Sequence, residues 1–147
     1  MQPTGLLYDL AASAGVIVRW WHFAPPIIGI YLRDERTHPA IGLDYRLKKN
    51  PPLMRCVLAE ELGHHFATTG ERVMRPFCRE PRFPSREEQE ALAWAARVLI
   101  PPEDLGMFIR ESKPLEMLAA MYGVTPGFVD AALRVLPLST VYGGESA

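Results

Sequence analysis

The sequence predicts an α+β fold, and three observations carry that prediction. Short β-rich runs are confined to the N-terminal third, a long helical pattern opens immediately after them at a pair of prolines, and further helical patterns fill the C-terminal half. Strands that come first and helices that follow do not alternate as a parallel βαβ array requires, so the expected sheet is small and antiparallel and packs on the first long helix. At 147 residues the chain fits one domain, 1–147, large enough to bury a core.

Taken in order, Leu6, Leu7, Leu10 and Ala11 stand at helical spacing between about Thr4 and Ala14, and Gly15 can end that helix. "VIVRW", "PPIIGIYLR" and "PAIGLDYRL" are short β-rich runs separated by turn residues such as "DERTH". Asn50 can cap a helix that enters through Pro51 and Pro52, runs along "LMRCVLAEELGHHFATT" and stops at Gly70. "RVMRPFCREPRFPSREEQ", rich in Pro and Arg, reads as a surface loop. Ser85 and Glu88 then form the S-x-x-E pattern of a capping box, opening a helix that ends at Pro101 and Pro102. Shorter helices are expected around Pro102 to Arg110, Pro114 to Tyr122 and Thr125 to Leu136, and "STVYGGESA" reads as a frayed tail.

Composition removes several classes of function. Hydrophobic residues make up 48% and charged residues 22%, as in soluble globular proteins, and no apolar run approaches the ~20 residues of a membrane span. The N-terminus lacks a basic cluster and is interrupted by Asp9, so no secretory signal is expected and the cytoplasm is the default location. A formal charge of −1 gives no global field for a phosphate backbone, so nucleic acid is not expected as a partner. Cys56 and Cys78 match neither a zinc ribbon nor a C-x-x-C pair and are expected to be reduced and buried.

The chemistry lies in "LAEELGHHF", Leu58 to Phe66. It departs by one letter from H-E-x-x-H, with Glu60 at the place of the first His. Residues four apart share a helix face, so Glu60 and His64 can point at one ion. Carboxylate oxygen reaches zinc at much the same distance as imidazole nitrogen. The extra negative charge should weaken the metal as a Lewis acid and shift preference toward harder ions such as Mn²⁺. Glu61, about 100° further round, stands where that motif places a general base for metal-bound water. Apolar neighbours imply that the helix is largely buried, where Glu and His are costly without partners. Gly63 in a helix interior costs about 1 kcal/mol relative to Ala and implies that something passes close to the backbone.

A third ligand is needed, and the second strong helix offers Glu87, Glu88 and Glu90. Glu88 continues the stripe of Ala91, Leu92, Ala95 and Leu99, whereas Glu90 shares a stripe with Arg97, so Glu88 is favoured, although the capping box accounts for it equally well. His65 points away from His64 and suits a structural or supporting role. Cys56, one turn before Glu60, is the alternative thiolate donor. His22 and His38 are isolated and expected to be exposed.

With these residues in view, the chain resembles the ImmA/IrrE family of bacterial and phage metallopeptidases. The resemblance rests on "LAEELGHHF", on "EQEALAWAARVLIP" at Glu88 to Pro101 and on "LEMLAAMYGVTPGFV" at Leu115 to Val129, in that order. It implies a zincin-like core holding Zn²⁺, or Mn²⁺ in its place, with Glu60, His64 and Glu88 as metal ligands and Glu61 as catalytic base. "AEELGH" is similar to a phage-type variant of the motif. The resemblance further implies cleavage of a helix-turn-helix repressor encoded beside the protein in a mobile element or stress regulon.

Within the C-terminal helices, about 102–136, "KPLEMLAAMYGVTPGFVDAALRVL" at residues 113–136 has the cadence of a helix-turn-helix, but "TPGFVDAALRVL" carries a single Arg. That is poor equipment for reading DNA, so a packing or substrate-docking role is expected. Two readings compete: a zinc-dependent endopeptidase, and a non-catalytic protein that sequesters a partner transcription factor. Metal content separates them. The sequence specifies neither the cleaved bond nor the oligomeric state.

Overall fold

The computed structural model describes residues 3–68, 73–78 and 84–137. The tail from Ser139 lies outside them. The order of elements is α1 (Thr4–Ser13), β1 (Ile17–Trp21), β2 (Ile27–Arg33), β3 (Ala40–Asp44), a 3-10 turn (Tyr45–Lys49), α2 (Pro51–Ala67), β4 (Val73–Cys78), α3 (Arg86–Leu99), α4 (Pro102–Arg110), α5 (Leu115–Tyr122) and α6 (Pro126–Val135). The fold is α+β, as expected, with three strands ahead of the motif helix and the sheet beside it.

Local chemistry sets most boundaries. α1 ends as Gly15 adopts φ +71°, a left-handed value open to glycine, and the Val16 N–H reaches back to the Ala11 carbonyl at 2.8 Å. The Asn50 side chain accepts from the Leu53 N–H at 3.2 Å, while Pro51 and Pro52 occupy first-turn positions that need no donor. α2 ends at Ala67, earlier than expected, and Thr68 is already extended. The Ser85–Glu88 capping box is fully formed on α3.

The sheet departs from expectation in two ways. It is mixed, not antiparallel: the strand order is β1-β3-β2-β4, with β1 parallel to β3 and β2 antiparallel to both β3 and β4. Two reversals of the chain return β3 to the direction of β1, and β3 inserts between β1 and β2 instead of adding outside β2. Secondly, Val73–Cys78 is a strand where a loop was expected. Pro76 argued against pairing, but β4 is an edge strand, where a residue needs hydrogen bonds on one side only.

A buried carboxylate fastens the far end of this sheet. Asp44 closes β3, accepts from the Phe23 N–H at 2.8 Å and the Arg46 N–H at 2.8 Å, and pairs with Arg46 Nε at 2.7 Å. Arg46 Nη2 in turn donates to the Ile27 carbonyl at 2.7 Å. The hydrogen bond from the Arg46 side chain, foremost, holds the Asp44 carboxyl well below the usual carboxylate range.

α2 lies across β2 and β3 and packs on α3, which in turn packs on α6. Tyr31, Ile41 and Leu43 from the strands meet Leu58 and Leu62 from α2 in one core with Ala95 and Leu99 of α3. Burial of each large aliphatic side chain there contributes about 1.5–3 kcal/mol. α5 ends at Gly123 with φ +62°, and Thr125 caps α6. No described helix is long and apolar enough to cross a membrane.

Candidate metal centre between the motif helix and its neighbour

α2 and α3 meet at Gly63. A Cβ built there would stand 2.3 Å from the carbonyl oxygen of Ala91, closer than real contacts allow. The glycine in the helix interior thus has a cause in packing: the backbone of α3 itself fills the space. Leu58, Leu62, Ala91 and Ala95 are all buried, as the sequence pattern requires.

This contact brings carboxylates of two helices together. Glu60, half-buried, has its carboxyl pushed up to about 8, first by burial and then by the negative charge of Glu88. Glu61 is 1% exposed, and its carboxyl is raised well above the ordinary range, by burial and then by the charge of Glu60. Glu61 Oε2 is buried with no hydrogen-bond partner among the described residues. His64 is buried one turn beyond Glu60, and its backbone carbonyl accepts from the Thr68 hydroxyl.

Glu88 has a second task. Its Oε2 accepts from the Ser85 N–H at 2.9 Å, while its own N–H donates to Ser85 Oγ at 3.2 Å. The capping role and the proximity to Glu60 therefore coexist in one side chain. Glu90 is engaged by Arg86 at 3.1 Å on the outer face, and Glu87 is half-buried in the same first turn as Glu88. Among the described residues, no three His, Cys, Asp or Glu side chains are gathered tightly enough to enclose an ion. The charge of Glu88 acts on Glu60, and that of Glu60 on Glu61.

Other sequence candidates fall into place around them. Cys56 is buried and its thiol is pushed up to about 12, chiefly by burial, which disfavours the thiolate a metal needs. The side chain of Cys78 lies outside the described residues. His22 and His38 are exposed. His65 is held by the sheet: its Nδ1 lies 2.7 Å from the Tyr31 hydroxyl and 3.2 Å from Arg33 Nη2, and its carbonyl accepts from Arg33 Nη2 at 2.9 Å. Tyr31 and Arg33 belong to no motif in the sequence. The available signal was an Arg two residues from a Tyr, hence on the same face of a β-rich run.

The residues present fit a divalent cation by the chemistry of the donors. The charge of Glu88 on α3 raises the proton affinity of Glu60 on α2, a buried carboxylate oxygen of Glu61 has no hydrogen-bond partner among the described residues, and an imidazole stands one turn away. A cation would relieve the repulsion that protons otherwise relieve.

Fold and site together define an α+β domain in which a sheet supports an acid-rich helix that carries E-E-L-G-H at residues 60–64. Residues 25–134 match the family described as IrrE N-terminal-like domain, peptidase M78, and the chain belongs to that family. Curated proteins and solved structures give no significant match.

Proposed function

We propose that the protein is a metal-dependent endopeptidase of the cytoplasm, with a helix-turn-helix repressor as its protein substrate. Membership of a peptidase family supports the class, and the carrying observation is the approach of three carboxylates at the α2–α3 contact, Glu61 buried and Glu60 and Glu88 half-buried. The core is zincin-like in this reading. Glu60, His64 and Glu88 would hold the ion, Zn²⁺ first and Mn²⁺ as the harder alternative for a site with two carboxylates. When bound, such an ion supplies Lewis acidity toward a peptide carbonyl and toward water.

The remaining work falls to the chain itself. Glu61 stands beside Glu60 but contributes a carboxylate outside the ligand set, and Oε2 is the atom at which a proton would be taken and returned. Burial raises its affinity for that proton, as a group that must hold a proton and return it requires. Glu88 ties the site to the start of α3 through Ser85, and Gly63 lets α3 approach closely enough for Glu88 to reach Glu60.

One observation favours the competing reading of a non-catalytic binder: Glu61 is closed to solvent at 1% exposure, so a substrate could reach it only after the site opens. Protein purified without added metal, reloaded with Zn²⁺ or Mn²⁺ and incubated with helix-turn-helix repressors separates the two. Cleavage that disappears in Glu61→Gln supports the peptidase; tight binding of intact repressor, unchanged in Glu61→Gln, supports the binder.

A further inference from the structure

The last turn of α2 carries both histidines, yet it ends without a glycine cap. Two side chains from outside the turn bind its carbonyls: Thr68 takes that of His64, and Arg33 takes that of His65 at 2.9 Å. Arg33 comes from β2, so the helix end is fastened directly to the sheet. Tyr31, two residues earlier on the same strand and fully buried, packs against both histidines. Its ring is nearly parallel to that of His64, at 11° and 6.4 Å between centroids, and meets that of His65 edge-on at 5.8 Å.

The hydrogen bonds decide the form of His65. A guanidinium can only donate, so the Arg33 contact at 3.2 Å requires a bare Nδ1, and the Tyr31 hydroxyl at 2.7 Å donates to the same atom. The ring proton of His65 must then sit on Nε2. With Nδ1 committed to the sheet, His65 is fixed in place on β2.

We propose that Tyr31 and Arg33 are the positioning residues of the candidate metal centre: by clamping His65 to β2 they set the rotation of the final α2 turn and thereby the aim of His64. This rests on His64 being a ligand, as proposed above.

Two readouts test it. Nitrogen NMR of the metal-free protein should show His65 protonated at Nε2, with loss of that preference when Tyr31→Phe and Arg33→Gln are combined. Competition titration with Zn²⁺ should give binding about tenfold or more weaker in the double variant, with partial rescue by Arg33→Lys. Asp44→Asn serves as a control that loosens the far end of the sheet; it should leave Zn²⁺ affinity unchanged. A His65 proton on Nδ1 in the wild type, or equal Zn²⁺ affinity in wild type and double variant, overturns the clamp alone. Failure of the wild type to bind Zn²⁺ or Mn²⁺ overturns the ligand assignment and the clamp with it.

Discussion

Gly63 and Ala91 are in backbone contact across the two helices of the candidate centre, so close that even a methyl group on residue 63 would overlap the Ala91 carbonyl. Gly63→Ala should therefore destabilise the protein although Ala is the better helix former by about 1 kcal/mol. Overpacking of this kind costs about 1–3 kcal/mol, and thermal unfolding should reveal a melting temperature lower by several degrees. The separation of α2 from α3 should also weaken metal binding. An unchanged or raised melting temperature would mean that the helices are not in contact there.

Glu88 is asked both to cap α3 and to bind an ion, and two substitutions separate the tasks. Ser85→Ala removes the acceptor for the Glu88 N–H and should cost about 1 kcal/mol of stability, with metal affinity nearly intact. Glu88→Gln keeps an oxygen for the Ser85 N–H but removes the charge, so stability should change little while metal affinity falls by tenfold or more. Reversal of the two profiles, read by thermal melts and metal titration, would confine Glu88 to capping and return Glu87 to consideration as the ligand.

The Asp44–Arg46 pair predicts an acid limb in the stability curve. The Asp44 carboxyl is held low, foremost by the Arg46 side chain, so its contribution is present above the ordinary carboxylate pKa of about 4 and is lost as pH falls below it toward the depressed folded value. Asp44→Asn should lower stability at pH 7 by about 1–3 kcal/mol, the scale of hydrogen bonds to a charged group. The difference between variant and wild type should shrink below pH 4. A difference that persists undiminished to pH 2 would show that ionisation of Asp44 is not what holds β3 to the Phe23 and Ile27 backbone.

Cys56, buried and with its thiol pushed up to about 12, should resist alkylation at pH 8 in the native protein and react promptly once the chain is unfolded. Mass spectrometry of the labelled peptide reads this directly. Fast native labelling of Cys56 would contradict the packing of α2.

The parts legible in the sequence were those decided locally. Asn50 with Pro51 and Pro52, Gly15, and Ser85 with Glu88 mark helix ends through contacts within a few residues, and each does so in the structure. The stripes on α2 and α3 announced which faces would meet, and Gly63 announced a close neighbour. Tertiary choices were hidden. Nothing local told β3 to insert beside β1, or told the segment around Pro76 that it would lie on an edge where a missing donor is harmless. The clamp of Tyr31 and Arg33 on His65 joins residues more than thirty positions apart, beyond the reach of any helical or strand period.

The central claim is that Glu60, His64 and Glu88 hold an ion while Glu61 stands beside it with a proton to move. Stoichiometric metal content of the wild type, Glu61→Gln and His64→Ala, purified in parallel and reloaded with Zn²⁺ or Mn²⁺, tests it most directly. Retention of about one ion per chain in wild type and Glu61→Gln, and its loss in His64→Ala, is the result this account predicts. Equal loss in both variants would make Glu61 a ligand and contradict the assignment.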